Sequence, residues 1–284
     1  MSETTPPRSD RIAFGIAGLV VLLTAVIAIA REASPEWAEI QADVRAIVTE
    51  RLGAERAAAV PDGIEQVWIE ELARADRCMT CHATIEWGAE LADAPHPARS
   101  HPPGLLEAHP VASFGCTLCH GGQGAATTVD AAHGHVPHWE EPLLDAALAD
   151  RYGLTAAQLM ETRCNACHRQ QDEVPGMPLL NAAKAEVKKR RCNLCHVIDG
   201  EGETRGPDLT YAGDKHPAHV HFPPTWRKPP TVLGWHIQHF LDPQSVVPGT
   251  EMRKFPFTER DVVGLALLVM SWKRTRLPQA WVPK

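Results

Sequence analysis

The sequence predicts a mainly α-helical protein with much irregular loop and a transmembrane helix at its N-terminus. Apolar residues recur at helical spacing over residues 37–52, 64–72 and 262–270. Residues 83–140 show no sustained period and are rich in proline, glycine and histidine, which is typical of irregular loop. An uncharged run, Ile12 to Ala30, is long enough to cross a hydrocarbon core.

The N-terminal run predicts the membrane orientation of the chain. At ~1.5 Å per residue, Ile12 to Ala30 spans roughly 28 Å, and Arg8 and Arg11 favour a cytoplasmic tail. A cleaved signal peptide is the alternative, since Ala28-Ile29-Ala30 resembles a cleavage site. The apolar run exceeds the ~7–15 residues of a signal core. We therefore expect an uncleaved single-pass anchor in the inner (cytoplasmic) membrane, with the rest of the chain in the periplasm.

All cysteines of the chain belong to one repeated short pattern. Each copy reads C-x-x-C-H, and the eight cysteines are used with none left over. The four copies are Cys78-Met79-Thr80-Cys81-His82, Cys116-Thr117-Leu118-Cys119-His120, Cys164-Asn165-Ala166-Cys167-His168 and Cys192-Asn193-Leu194-Cys195-His196.

The repeated pattern is the attachment site of c-type haem. Two thiols add across the two vinyl groups of one porphyrin, and the adjacent histidine supplies the proximal nitrogen to the iron. The sequence thus predicts four haem c groups. Their predicted covalent residues are Cys78, Cys81, Cys116, Cys119, Cys164, Cys167, Cys192 and Cys195, and their proximal ligands are His82, His120, His168 and His196.

Two other interpretations of paired cysteines explain the sequence less well. Zinc ribbons place their pairs roughly 12–20 residues apart, whereas the first two pairs here are much farther apart. Zinc also leaves the histidine after every pair unexplained. Disulfides are the second alternative, but cysteines this close in sequence more often form a redox dithiol.

The charge of the chain is unevenly distributed, and its sequence carries no recognisable catalytic pattern. The net charge is -7, with an acidic N-terminal two-thirds and a basic C-terminal third. This split indicates either two faces with different partners or drift on a solvated surface. The sequence contains no paired-carboxylate, nucleophile or phosphate-cradling pattern. We expect no catalytic residue and no nucleic-acid partner.

The C-terminal third resembles the single-haem class I cytochrome c fold. Over residues 181–276 the order is a haem motif, then Gly206-Pro207-Asp208-Leu209, a loop that contains Met252, and a last helix opening at Thr258. The resemblance implies that Met252 is the distal ligand of the fourth iron. It also implies that the Pro207 carbonyl orients the ring of His196, and that the last helix crosses the helix before the fourth motif.

Residues 76–168 resemble the multihaem cytochrome c subunits that accompany quinol-oxidising cytochrome b-type complexes. The resemblance implies bis-histidine ligation, with three distal ligands that are not assigned to particular irons. His96, His135 and His138 are further candidates for these distal ligands. The resemblance depends on Ser100-His101-Pro102, His109-Pro110, Phe114-Gly115-Cys116, Gly121-Gly122-Gln123-Gly124 and Ala132-His133-Gly134, and the implied distal ligands are His101, His109 and His133.

These features together predict five consecutive segments of the chain. They are a cytoplasmic tail over 1–11, a transmembrane anchor over 12–30, a helical stalk over 31–77, a trihaem cytochrome c region over 78–180, and a monohaem class I cytochrome c-like domain over 181–284.

The predicted function is electron transfer, and two alternatives stay open. Bis-histidine and Met/His ligation both saturate iron, and Met/His ligation raises the reduction potential. We expect a membrane-anchored tetrahaem cytochrome that relays electrons from a quinol-oxidising or related membrane complex. Its acceptor would be a soluble carrier, an oxidase or a photosynthetic reaction centre. The alternatives are a multihaem reductase with one open haem, and an anchored quinol dehydrogenase subunit of a nitrate or nitrite reductase system.

Replacing the predicted methionine ligand tests the assignment of the fourth haem. We expect Met252→His to lower the potential of one haem and to leave three unchanged, because imidazole stabilises ferric iron better than a thioether does. A spectroelectrochemical titration measures all four potentials. A curve in which no component moves would remove Met252 from the ligands.

Overall fold

The computed structural model of the chain describes residues 7–33, 35–139, 141–223, 226 and 230–283. Its described part is mainly helical, and the strands found there form one two-stranded sheet. The prediction of a mainly α fold with much irregular loop is therefore confirmed. Residues 1–6 of the predicted cytoplasmic tail lie outside the described residues.

Most helices between the first and last haem motifs are single turns. In chain order, α1–α13 span Arg8–Ala33, Glu36–Leu52, Ala54–Ala57, Leu105–Ala108, Val111–Phe114, Thr117–His120, Val129–Ala132, Ala146–Asp150, Ala156–His168, Pro178–Arg190, Val232–Leu241, Pro243–Val246 and Glu259–Ser271, and the strands β1 and β2 span Val67–Ile69 and Arg74–Asp76. Short 3₁₀ turns cover Glu70–Leu72, Cys78–Thr80, Gly88–Leu91, Cys192–Leu194, Ala212–Asp214, Pro217–His219 and Gln279–Trp281.

Helix α1 carries the apolar run of the N-terminus. The apolar window of Arg8–Ala30 has a mean hydropathy of 2.8, and none of its residues is buried within the protein. Among the described helices, this is the one long and apolar enough to cross a membrane. A signal sequence near an N-terminus would have the same length and composition.

The first compact unit is made of described residues within Met1–Val67, Arg77–Pro110 and Ala125–Ala132. Its core forms where Val44 and Val48 of α2 pack with small side chains of α3 and the loop around Leu91. The sequence places the end of α2 correctly, because Gly53 follows its last residue with φ 88°. A residue with a side chain would be strained in that conformation.

The prediction of a second amphipathic helix over 64–72 is wrong, so the stalk over 31–77 is only partly helical. This stretch contains β1, which pairs with β2 across a 3₁₀ turn. The burial of Val67, Trp68 and Ile69 alternates in the period of two that a strand requires, with Ile69 buried and Trp68 exposed. β-Branched and aromatic residues favour strands, and Ala73 takes a left-handed conformation that ends the turn.

The second compact unit is made of described residues within Trp68–Asp76, Val111–Gly124 and His133–Lys284. Its core is built by α9, α10 and α13, which contribute most of one apolar cluster. Gly264 of α13 lies close to Leu179 of α10, since an added Cβ would be 3.2 Å from the Leu179 carbonyl oxygen. The predicted packing of the last helix against the helix before the fourth motif is thus present.

Two helices of this unit begin with capping boxes, and the predicted start of the last helix at Thr258 is confirmed. Thr155 caps α9 and forms a capping box with Gln158, as the sequence spacing predicts. Thr258 caps α13, where Asp261 completes the reciprocal pair of hydrogen bonds.

The predicted boundary between residues 180 and 181 falls inside α10. Helix α9, which carries the third motif, belongs to the same core as α10 and α13. The buried Asn165 of α9 donates a hydrogen bond from Nδ2 to Oγ of Ser271 at 2.7 Å. Helix α9, which carries the third motif, and helix α10, which precedes the fourth, therefore both pack against α13.

A buried carboxylate of α9 binds the first turn of α10 and provides a test of this core. Glu161 is buried and accepts hydrogen bonds from the backbone N–H of Leu179 at 3.3 Å and of Leu180 at 2.7 Å. We expect Glu161→Ala to lower the free energy of unfolding by about 1–3 kcal/mol, because buried donors lose their acceptor. Denaturant titration measures this, with the exposed Glu173→Ala as the control. Equal stability of the two variants would contradict the assigned role.

Candidate haem sites

The fourth motif holds its histidine in a defined orientation. Cys192–Leu194 form a 3₁₀ turn, and Nδ1 of His196 lies 2.8 Å from the carbonyl oxygen of Pro207. A carbonyl oxygen can only accept, so Nδ1 must carry the proton. The other ring nitrogen, Nε2, then keeps the lone pair that a metal needs. This is the contact that the class I cytochrome c resemblance implies.

A glycine allows the loop after the fourth motif to reach that histidine. A Cβ on Gly206 would lie 2.5 Å from Cε1 and 2.7 Å from Nδ1 of the His196 ring. Any side chain at this position would therefore displace the ring. Gly202 is similarly close to the carbonyl oxygen of His196, at 2.3 Å from its hypothetical Cβ. The loop over residues 202–207 therefore packs directly against His196.

Met252 lies in a loop of the second unit beside a histidine of α11. Its sulfur is 3.0 Å from Nε2 of His239. Burial, followed by the charge of His196, lowers the pKa of His239 to about 4. His239 therefore stays neutral near neutral pH, between the predicted distal ligand and the predicted proximal one.

A second histidine of α11 is also buried. Burial lowers the pKa of His236 to about 4, with the charge of His239 as the next cause. Within the described residues, Nε2 of His236 and Nδ1 of His239 have no hydrogen-bond partner. The interior around α11 thus contains two neutral imidazoles with one unsatisfied nitrogen each.

The first motif is anchored by hydrogen bonds inside the first unit. Cys78–Thr80 form a 3₁₀ turn, and Oγ1 of Thr80 bonds to both the N–H and the carbonyl of Glu65 at 3.0 Å. Nε2 of the buried Gln41 donates to the carbonyl of Thr80 at 2.9 Å. The ring of His82 lies with its centre 6.3 Å from that of His96, one of the further candidates for a distal ligand.

The second motif is capped by a carboxylate that precedes the first motif in sequence. Asp76 is buried, and its Oδ2 accepts hydrogen bonds from the N–H of Cys116 at 2.8 Å and of Thr117 at 2.9 Å. The Thr117 hydroxyl donates a third at 3.1 Å. A negative side chain at the first turn of α6 also complements the helix dipole. Sequence reasoning missed Asp76, because its partner lies in a different motif.

The third motif lies at the end of α9, next to the second. Nδ1 of His168 is 2.5 Å from the side-chain oxygen of Gln171, and Nζ of Lys184 donates to the His168 carbonyl at 2.8 Å. Helices α6 and α9 pack together. Burial, followed by the nearby Cys167, raises the pKa of the Cys119 thiol to about 11. The second and third motifs are therefore neighbours, which the sequence spacing did not reveal.

The cysteines of the four motifs are in the reduced form. All eight cysteines lie in the described chain, and none forms a disulfide. Burial raises the pKa of the Cys164 thiol to about 11, so this sulfur is neutral at ordinary pH. Reduced cysteines are what addition across the vinyl groups of a porphyrin requires.

The predicted distal histidines fall into both units. Nδ1 of His101 lies 3.1 Å from the carbonyl oxygen of Pro102, and Nδ1 of His109 lies 3.1 Å from that of Leu105. As in His196, a carbonyl partner puts a proton on Nδ1 of each ring. His133 belongs to the second unit, where its ring centre is 5.9 Å from that of His135. Which iron each serves stays a prediction.

The residues present therefore fit the predicted haem groups, most completely at the fourth motif. That site combines free thiols, an oriented proximal histidine and a nearby thioether. His239 was missed as a part of it, although its spacing of three from His236 on one helix was visible in the sequence. No protein-family model matches this chain, and no curated protein or solved structure matches it significantly.

The close contact of Gly206 with His196 gives a sharp test. We expect Gly206→Ala to alter the spin state or potential of one haem of four and to lower stability by about 1–3 kcal/mol, because the new methyl overlaps the proximal ring. Absorption spectra, redox titration and denaturation measure these effects. The exposed neighbour Arg205→Ala is the matched control. Identical behaviour of the two variants would show that the ring is not held here.

Proposed function

We propose that this protein is a membrane-anchored tetrahaem c-type cytochrome that relays electrons between a membrane complex and a downstream acceptor. The observation that carries the proposal is the set of four C-x-x-C-H motifs, which uses all eight cysteines. Bound haem iron supplies one-electron chemistry by cycling between its ferric and ferrous states. The donor would be a quinol-oxidising or related complex, and the acceptor a soluble carrier, an oxidase or a reaction centre.

The protein's own residues would bind and orient the four groups. The cysteine pairs would hold each porphyrin, and His82, His120, His168 and His196 would face the irons. The Pro207 carbonyl supports this role, because it keeps the proton of His196 on Nδ1. Met252 would complete the fourth site, and His101, His109 and His133 would complete the other three.

Helix α1 supports attachment to a membrane. Its apolar side chains, such as Phe14 at 82% exposure, are too exposed for a chain that stays in water. A retained helix would keep the protein in the inner membrane with the haem sites in the periplasm. Covalent attachment of haem after export agrees with that location.

The neighbouring second and third motifs support a relay rather than four isolated sites. Packing of α6 on α9 brings Cys119 and Cys167 close together. The third motif shares its core with the helix that leads to the fourth. These three sites would therefore form a continuous series within the second unit.

The basic run before the fourth motif contributes less to partner binding than its charge suggests. Lys188 forms an ion pair with Asp172 at 2.5 Å, and Lys189 and Arg190 both pair with Glu186. These charges are already partly neutralised within the protein. An acidic partner would gain little from them.

Intact-mass measurement of the protein purified from native membranes tests the proposal. We expect one haem mass at each of the four motifs, each lost when its two cysteines are replaced by alanine. Retention of the N-terminal residues in the same spectrum would show that α1 is not cleaved. Bare thiols at the motifs would overturn the proposed function.

A further inference from the structure

One histidine of the second unit carries its proton on the opposite nitrogen from the predicted iron ligands. Nε2 of His239 and the sulfur of Met252 are 3.0 Å apart. A thioether sulfur bears no hydrogen and can only accept. The proton must therefore lie on Nε2 of His239, whereas the carbonyl of Pro207 places it on Nδ1 of His196.

The ring of His239 is held by stacking. It lies parallel to the ring of Trp235, with centres 4.8 Å apart and planes at 7°. Nζ of Lys215 lies over the ring of Trp235, 4.9 Å from its centre. Because Trp235 is itself fixed by a hydrogen bond to the carbonyl of His221 at 3.1 Å, the imidazole has a defined direction.

The second ring nitrogen of His239 forms no hydrogen bond within the described chain that would favour another orientation of the ring. Its Nδ1 is buried and has no hydrogen-bond partner among the described residues. With the proton on Nδ1 instead, a buried N–H would lack a partner and the lone pairs of Nε2 and sulfur would face each other. The burial of Nδ1 therefore favours the tautomer that donates to sulfur.

We propose that His239 is a positioning residue that donates its Nε2 proton to the sulfur of Met252 and thereby raises the potential of the fourth haem. This inference rests on the proposed function. A thioether sulfur has two lone pairs, so one can bind iron while the other accepts the proton. The hydrogen bond withdraws electron density from sulfur, which weakens its donation to ferric iron and favours the ferrous state.

The same geometry argues against His239 as the axial ligand itself. With its proton on Nε2, the nitrogen nearest to Met252 has no lone pair to offer a metal. In the arrangement described, methionine is thus the ligand and histidine orients it.

Three variants of the full-length, haem-loaded protein in detergent test the proposal. His239→Phe removes the donor and keeps an aromatic ring for stacking on Trp235. His239→Gln keeps an amide N–H near the position of Nε2. His236→Phe is the matched control, since His236 is buried on the same helix without a contact to the sulfur.

The expected result is a shift of one redox component of four. We expect His239→Phe to move the ferric–ferrous equilibrium of that component about two- to tenfold toward ferric iron, where tenfold corresponds to about 59 mV. His239→Gln should restore most of the shift, and His236→Phe should leave all four potentials in place. No shift in His239→Phe, or an equal shift in His236→Phe, would overturn the proposal.

Measurements on the unmutated protein separate this inference from the proposed function. Fewer than four haem masses would overturn both. With four haems present, nitrogen NMR of labelled histidine reports the His239 tautomer directly, even if a variant fails to fold. A proton on Nδ1 would overturn the inference alone.

Discussion

The position of one proton decides what the fourth motif can bind. The Pro207 carbonyl accepts from Nδ1 of His196, so the lone pair of that ring lies on Nε2. This contact requires the loop at Gly206 to lie directly against the ring, and that loop in turn requires the turn through Gly202. A single backbone carbonyl therefore sets the conformation of the segment that follows the motif.

The hydrogen-bond acceptor of each histidine also distinguishes histidines that look equivalent in the sequence. Fifteen histidines are present, and spacing alone does not distinguish a metal ligand from a donor. Hydrogen-bond partners do: the carbonyl oxygen next to Nδ1 of His196 places the proton on that nitrogen, whereas the sulfur next to Nε2 of His239 places it on Nε2. The sequence does not reveal which atom accepts the N–H of each imidazole ring, and the structure does.

Much of the helical architecture could be predicted from the sequence, because local signals determine it. The end of α2 follows from Gly53, and the starts of α9 and α13 follow from Thr155 and Thr258. The hairpin of β1 and β2 was missed, since Val67, Trp68 and Ile69 suit a helical stripe over so short a stretch. Short apolar runs do not distinguish the two periods.

Long-range contacts account for the rest of what was missed. Asp76 caps α6 through a contact that crosses 40 residues of chain to Cys116, and no local pattern reveals such a pair. The neighbouring second and third motifs are a result of helix packing, not of spacing. The boundary expected near residue 180 failed to match the compact units because α9 needs α13 as much as α10 does.

The bond between Asn165 and Ser271 joins residues that are 106 positions apart. Synthesis proceeds from the N-terminus, so α9 emerges long before α13, and its apolar side remains uncovered until the end of the chain arrives. Contacts of such separation are slow to form, because the intervening chain loses entropy when they close. The core of the second unit can therefore close only once α13 is in place.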